Sequence, residues 1–222
     1  MRWTGAVRII ATRFPPIPLF ERIADATEHD LLAEVESLTN PRVRDLLGEA
    51  PVVEDEDRVT EPGSAYVMAP FAHPRPSRFS DGSFGVFYCA RRRLTAVHET
   101  AYHMGRFYAA TAEPPIDFDM RELVGRVDHR FHDLRDARAR RAGLFDPDDY
   151  GRSQAFGGEL RARGSHGVVY PSVRHTGGTC LGAFRPRAVG IPEPRGVLTY
   201  RWNGTRVDRW FDHASETWHE LA

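Results

Sequence analysis

The sequence SRFSDGSFGVFYCARRRLTAVHETAYHMGR, residues 77–106, carries the local signals from which the rest of the fold can be worked out. Its first part is rich in glycine, serine and aspartate and predicts a loop, and Phe84–Ala90 is apolar and aromatic enough for a buried strand. A helix should follow with Thr95 as its N-cap, because apolar residues then recur at helical spacing. The stripe that would face the core is Val97, Ala101, Met104 and Tyr108.

Three side chains of this stretch and one far downstream could form a site. Arg78 falls in the predicted loop, Tyr88 near the end of the strand and Glu99 close to the start of the helix, and Ser172 ends the segment GVVYPS. An arginine grips phosphate, a tyrosine ring stacks on an aromatic heterocycle, and a glutamate stabilises a developing positive charge. Each also has an ordinary explanation, such as the favourable dipole interaction of a glutamate at a helix start. Together they suit a dinucleotide whose bond to a positively charged base is about to break.

The predicted helix carries further polar residues on the side of Glu99. They are Tyr102, His103 and Arg106. Residues at this spacing form either an ordinary polar helix face or the wall of a cleft, and the sequence leaves both interpretations open.

The composition favours one domain and excludes some chemistries. The chain has 222 residues, 41% of them hydrophobic, which is enough for a full core. The net charge is −1, so no overall field attracts nucleic acid or an anionic membrane. The sequence contains no lysine and all 30 basic residues are arginine, so neither a Schiff-base enzyme nor a Walker-type phosphate loop fits.

Cysteines and apolar runs indicate the compartment. Cys89 and Cys180 form neither a CxxC pair nor a disulfide framework, which is typical of a reducing cytoplasm. The first apolar run is too short for the core of a signal peptide, and no run approaches the roughly 20 apolar residues of a membrane helix. We therefore expect a cytoplasmic protein with no membrane partner.

Strand and helix signals continue on both sides of the central stretch. Before it, the pattern predicts a strand at Ala6–Thr12, two helices between residues 25 and 48, a surface connection at Val52–Gly63 and a strand at Ser64–Phe71. After it, the segment Phe118–Leu134 fits a strand pair or a helix, with a strand favoured at its start because Phe118 and Met120 alternate with acidic residues. The pattern then predicts a helix between Asp146 and Gly164 and strands at Gly167–Val173 and Cys180–Phe184. Because no βαβ rhythm repeats, this mixture indicates an α+β fold.

The carboxyl-terminal part gives the clearest local signal. The alternating runs GVLTYRW and TRVDRWF flank Asn203 and Gly204. An Asn-Gly pair favours a two-residue type I′ turn, so we predict a β-hairpin here.

Other motifs are weaker. There is no GxGxxG loop, and Ser172 lacks the GxSxG elbow of a hydrolase. His129 and His132 are capable of binding metal, but HxxH alone lacks a third ligand, so no metal is expected. The basic run RDARARRAG has no interleaved aromatic residues, which is typical of a solvated face, and no direct nucleic-acid binding is expected.

Two segments resemble the RES domain family, named for an arginine, a glutamate and a serine, whose members include toxins of bacterial toxin–antitoxin pairs. They are RFSDGSFGVFYCARRRLTAVHET, with Arg78, Tyr88 and Glu99, and DDYGRSQAFGGELRARGSHGVVYPSVR, with Ser172. RIIATRFPPIPLFERI and TNPRVRDLLG also resemble the amino-terminal segment of longer members. The resemblance thus covers most of the chain and implies one RES-like domain, with an amino-terminal extension at 1–60, a catalytic core at 61–190 and the hairpin at 191–222.

The resemblance implies an α+β fold similar to ADP-ribosyltransferases, with mixed sheets, flanking helices and NAD bound in a cleft as substrate. The nicotinamide–ribose bond would be cut by water or by phosphate. The implied catalytic residues are Arg78, Glu99 and Ser172, and the implied NAD-binding residues are Arg8, Arg78, Tyr88 and Ser172. Arg13 and Arg58 compete with Arg8 as the upstream arginine. Many compact members have a glycine-rich run and a tryptophan beside the site arginine, whereas this chain has HPRPSRFSDG with Phe79.

The partners that the resemblance implies are NAD and a helix-turn-helix antitoxin of the Xre type, and a homodimer stays open. Two alternatives also stay open. One is transfer of ADP-ribose to a protein by a mono-ADP-ribosyltransferase, and the other is a non-catalytic nucleotide-binding or interaction module.

Overall fold

The computed structural model describes residues 1–12, 53–137 and 142–221, which form a nine-stranded mixed sheet with three α-helices. The strand order is β4-β5-β6-β2-β1-β3-β7-β8-β9, and neighbouring strands are antiparallel except for β4 and β5. The strands are β1 (Arg2–Ala11), β2 (Phe87–Ala90), β3 (Ile116–Asp128), β4 (His132–Asp133), β5 (Gly167–Pro171), β6 (Thr179–Ala183), β7 (Glu193–Trp202), β8 (Val207–Asp212) and β9 (Thr217–Glu220). The helices are α1 (Ala65–Ala72), α2 (Arg93–Ala110) and α3 (Gly151–Ala162). The predicted α+β class is confirmed.

The sheet separates two apolar layers. On the first face, α2 and α3 contribute Val97 and Leu160 to the larger buried cluster, together with Tyr170 of β5. On the second face, α1 contributes Val67 and Phe71. Because side chains alternate along a strand, β2 directs Tyr88 to the first face and its two neighbours to the second.

The central stretch folds as its periodicity predicts. Phe87–Ala90 is a strand, and the following helix buries Val97 and Ala101 completely or nearly so, with Met104 and Tyr108 packed against the same cluster. The strands predicted at Ala6–Thr12, Phe118, Gly167–Val173 and Cys180–Phe184 are confirmed as β1, β3, β5 and β6. The helix before Gly164 is confirmed as α3, but it begins at Gly151. The two helices predicted between residues 25 and 48 lie outside the described residues.

Helix α2 is fixed to the sheet by an ion-pair network at its first residue. The guanidinium of Arg93 contacts Asp212 Oδ1 of β8 at 2.9 Å and Glu122 Oε2 of β3 at 3.0 Å. Asp212 and Glu122 are both buried. This network sets where α2 begins and therefore where Glu99 lies, two turns further on.

The strand predicted at Ser64–Phe71 is wrong, because the segment forms α1. Val67 and Phe71 lie four residues apart and pack together on the second face of the sheet. Pro70 lies inside this helix, which is only eight residues long, so one backbone hydrogen bond is absent. A short apolar run does not distinguish a strand from a helix by periodicity, and here alanine and methionine favour the helix.

Two local details also differ from the predictions. The N-cap position of α2 is Arg92 and not Thr95, which lies in the first turn and bonds to a downstream loop. The carboxyl-terminal hairpin is confirmed, but its connection spans residues 203–206, since Trp202 pairs with Val207. The Asn203 side chain accepts hydrogen bonds from the backbone N–H groups of Thr205 and Arg206, which stabilises this longer turn.

Candidate active site

Glu99 and Ser172 meet on the first face of the sheet. Ser172 Oγ lies 2.6 Å from Glu99 Oε1 and donates its hydrogen to the carboxylate. Ser172 is 3% exposed, whereas Glu99 is only partly buried. The predicted proximity of these residues is confirmed, and the carboxylate is held between the protein interior and the surface.

The turn that follows β5 fixes the hydroxyl of Ser172. Its Oγ accepts hydrogen bonds from the backbone N–H of Arg174 at 3.2 Å and of His175 at 2.9 Å. The backbone N–H of Ser172 donates to the carbonyl oxygen of Gly178 and closes the loop. Because two amides occupy the acceptor side of Oγ, its hydrogen is directed to Glu99.

The same turn packs directly on α2. His175 Nδ1 lies 2.9 Å from Thr95 Oγ1, and its ring stacks on His98 with centroids 4.7 Å apart and planes 8° apart. Removal from water lowers the pKa of His98, the nearby His175 lowers it further, and Glu99 opposes the change. Gly178 permits this approach, since a Cβ there would lie 2.7 Å from Thr95 Cγ2.

Arg78 lies beneath the loop that precedes α3. Its Nη1 donates to the carbonyl oxygens of Leu144 at 3.3 Å and Asp146 at 2.9 Å, and its guanidinium carbon is 4.4 Å from the ring centroid of Tyr150. Arg78 is 8% exposed. These contacts orient the guanidinium plane, and no carboxylate pairs with it among the residues the structure describes.

Tyr88 braces the loop on both sides of Arg78. Its hydroxyl oxygen lies 3.0 Å from Ser77 Oγ and accepts a hydrogen bond from the backbone N–H of Phe79 at 3.0 Å. Burial raises the pKa of Tyr88 to about 12, although Ser77, Phe79 and Arg78 act in the opposite direction. The hydroxyl is therefore neutral at physiological pH, and Tyr88 fixes the backbone on both sides of Arg78.

A cationic wall lies beside Glu99. The guanidinium carbon of Arg174 is 3.3 Å from the ring centroid of Tyr102, and its Nη2 donates to the carbonyl of Pro147. The Tyr102 hydroxyl donates to Asp148 at 2.9 Å. These contacts join Pro147 and Asp148 to Arg174 and to Tyr102 of α2.

His103 and Arg106 are exposed residues on the same side of α2. Surrounding protein lowers the pKa of His103, Glu99 raises it, and the charges of Arg174, Arg78 and Arg106 lower it further. Of the predicted helix face formed by Tyr102, His103 and Arg106, Tyr102 contacts Arg174, whose backbone N–H bonds to Ser172.

The structure does not bring Arg8 to this site. Arg8 points to the second face of the sheet, with its guanidinium carbon 4.5 Å from the ring centroid of Phe87 and its Nη1 bonded to the carbonyl of Tyr88. Burial lowers the pKa of Arg8 to about 10. Of its two competitors, Arg58 is paired with Asp55 and Arg13 lies outside the described residues.

Sequence reasoning missed the contributions of Arg174, His175 and Cys180. Arg174 and His175 directly follow Ser172, and the basic and aromatic character of this turn was the available signal. Cys180 lies near Glu99 because β6 pairs with β5 in the register that places Cys180 opposite Tyr170. That register cannot be predicted from the local sequence. Its Sγ lies 3.6 Å from Glu99 Oε1.

The described ranges contain neither a metal-binding cluster nor a membrane-spanning helix. Within them, no three His, Cys, Asp or Glu side chains lie close enough together to hold a metal ion. The ring centroids of His129 and His166 lie 3.8 Å apart, with the ring planes tilted by 31°. No described helix has the length and apolar character needed to cross a bilayer.

The structure is an α+β fold in which Glu99 and Ser172 meet on one face of a mixed sheet, and Arg78 is held separately by the loop before α3. The family model of the RES domain matches residues 56–203, which is more than half of the chain. The chain belongs to the RES domain family.

Two similar proteins place this result in context. The protein y4oC of Sinorhizobium fredii, described as uncharacterized, is 29% identical over 212 residues, and the match covers 90% of this chain and 84% of that protein. A crystal structure of the MbcT–MbcA toxin–antitoxin complex of M. tuberculosis matches with 14% identity and a TM-score of 0.43. That match covers 90% of this chain and 85% of the other.

Proposed function

We propose that this protein is an enzyme that consumes NAD, with Glu99 as its catalytic carboxylate. The bond between the ribose C1′ and the nicotinamide nitrogen breaks, and nicotinamide leaves with the bonding electron pair. Water or inorganic phosphate then adds to C1′ through an oxygen atom. With water, one proton is released and the product is ADP-ribose.

The hydrogen bond from Ser172 to Glu99 is the observation that carries this proposal. A carboxylate fixed at 2.6 Å by a serine that is itself held by two backbone amides keeps one orientation. Such a preorganised negative charge stabilises the positive charge that develops on the ribose as nicotinamide leaves. Ser172 therefore acts first on Glu99, and a contact with substrate is not required for its effect.

The cations around Glu99 suit a substrate with a pyrophosphate. Arg78 and Arg174 donate to adjacent carbonyl groups, those of Asp146 and Pro147, so both guanidinium groups contact the same loop. Arginine binds phosphate oxygens through paired donors. Arg78, oriented by two carbonyl groups and by Tyr150, is the residue we assign to the pyrophosphate.

Membership of the RES family supports a role in a toxin–antitoxin pair. On this proposal the protein depletes NAD in the cytoplasm until a helix-turn-helix antitoxin of the Xre type inhibits it. Expression of the chain alone in a bacterial host should lower cellular NAD and stop growth, and the Glu99→Gln variant should do neither.

Product analysis tests the reaction directly. Purified protein is incubated with NAD in a phosphate-free buffer and in the same buffer with phosphate, and the products are separated by chromatography. Hydrolysis yields nicotinamide and ADP-ribose in both, whereas phosphorolysis yields ADP-ribose phosphorylated on its anomeric carbon only when phosphate is present.

Two other outcomes would identify the alternatives. Labelled ADP-ribose attached to an added protein, with little free product, would identify a mono-ADP-ribosyltransferase. Binding of NAD without any nicotinamide release would identify a non-catalytic nucleotide-binding module and contradict the proposal.

A further inference from the structure

Cys180 occupies an unusual position beneath the candidate catalytic carboxylate. Its Sγ lies 3.6 Å from Glu99 Oε1, the same oxygen that accepts the hydrogen of Ser172. Cys180 is 3% exposed, so its thiol is closed to solvent reagents. Oε1 is thus approached by two donors from β6 and the turn after β5.

The thiol is present as a hydrogen-bond donor. Burial raises the pKa of Cys180 well above its usual value, and the adjacent charge of Glu99 raises it further. A neutral thiol has one weak S–H donor, and Glu99 Oε1 lies within its reach as an acceptor.

The second carboxylate oxygen has a different environment. Among the residues that the structure describes, no donor contacts Glu99 Oε2. A carboxylate with both donors on one oxygen can rotate little about its terminal bond, and its other oxygen stays available to a ligand.

We propose that Cys180 is a positioning residue, whose thiol works with Ser172 to hold Glu99 Oε1 and to present Oε2 to the substrate. Its catalytic consequence rests on the proposed NAD-cleaving function, whereas the S–H contact itself does not. The thiol touches neither the ribose nor nicotinamide and takes no covalent part in the reaction.

Cys89 provides a matched control. The chain contains two cysteines, and Cys89 lies on the neighbouring strand β2 with 6% exposure, but it points to the opposite face of the sheet. The Cys89→Ala variant therefore removes an equally buried thiol without touching Glu99.

Infrared spectroscopy tests the contact without any enzyme assay. In the Cys89→Ala background Cys180 is the sole thiol, and its S–H stretching band should lie at the lower frequency of a thiol bonded to a carboxylate. Adding Glu99→Gln should move the band to higher frequency, since a neutral amide is a weaker acceptor. An unchanged band would overturn the inference, whether or not the protein cleaves NAD.

Kinetics test the consequence for catalysis. We expect Cys180→Ala to lower kcat for nicotinamide release about threefold to tenfold with little change in KM, and Cys180→Ser to restore most of the rate through its hydroxyl donor. Cys89→Ala should keep the parental kcat. Equal kcat values for Cys180→Ala and Cys89→Ala would contradict the positioning role. Absence of nicotinamide release from every variant, the parent included, would contradict the proposed function, and the infrared result would still decide the contact.

Discussion

Ser172 Oγ donates to Glu99 Oε1 at 2.6 Å and so joins the turn after β5 to the second turn of α2. The two residues are 73 positions apart in sequence, and the hydroxyl is oriented by the amides of Arg174 and His175. A hydrogen bond between His175 and Thr95 fixes this turn to α2. The orientation of Glu99 therefore depends on tertiary packing as well as on its own helix.

Replacing Ser172 by alanine should impair catalysis more than it impairs folding. The Glu99 carboxylate would lose a charge-assisted hydrogen bond, and we expect nicotinamide release to fall about tenfold. The matched control is Ser165→Ala, since Ser165 is also buried and its Oγ accepts a hydrogen bond from the backbone N–H of Gly167, the first residue of β5. Thermal melts recorded beside the rates separate loss of activity from loss of fold. Equal rate losses in both variants would contradict the role of Ser172.

The adjacent glycines of α3 should respond in opposite directions to alanine. A Cβ on Gly157 would lie 2.0 Å from the carbonyl oxygen of Phe79, next to Arg78, whereas a Cβ on Gly158 meets nothing within 4 Å. Gly157→Ala should destabilise the protein by roughly 1–3 kcal/mol through overpacking. Gly158→Ala should stabilise it by about 0.5–1 kcal/mol through helix propensity. Urea denaturation measures both, and similar changes for the two would contradict this packing.

Arg78 should not tolerate replacement by lysine. A lysine ammonium cannot reproduce the planar group that bonds to two carbonyls and stacks on Tyr150. We expect Arg78→Lys to lower kcat/KM for NAD at least about tenfold, mainly through KM. Arg91→Lys, at an exposed position before α2, is the control and should retain the parental value. A parental KM in Arg78→Lys would remove Arg78 from the pyrophosphate site.

The Arg93–Asp212 pair should make stability depend on acid pH. Hydrogen bonds from Arg93 lower the pKa of Asp212 to about 2, below its ordinary value of 3.8. Because the folded state has the lower pKa, the stabilisation is complete above about pH 4 and is lost as the pH falls towards 2. We expect a contribution of about 1–2 kcal/mol. Urea denaturation between pH 2 and pH 5 should show a weaker pH dependence for Asp212→Asn, and the parental dependence for Asp136→Asn, an exposed control.

Local sequence patterns correctly predicted the elements in which a periodic apolar pattern extends over many residues or in which the turn residues are distinctive. The α2 stripe and the carboxyl-terminal hairpin are of this kind. The α1 segment is too short for its period to distinguish helix from strand, and Thr95 looks like a cap although a downstream histidine binds it. The chemical character of the residues was enough to predict that Glu99 and Ser172 belong to one site, but not to predict which face of β1 carries Arg8. That orientation depends on the pleat of the strand within the assembled sheet.

The most direct test of the central claim is the rate of nicotinamide release from NAD by the Glu99→Gln variant. Glutamine preserves the size of the side chain and removes its negative charge, and Glu159→Gln on exposed α3 surface is the matched control. We predict that Glu99→Gln lowers kcat at least about tenfold, or roughly 1.4 kcal/mol of transition-state stabilisation, while Glu159→Gln changes nothing. Equal rates for the parent protein and Glu99→Gln would contradict the account.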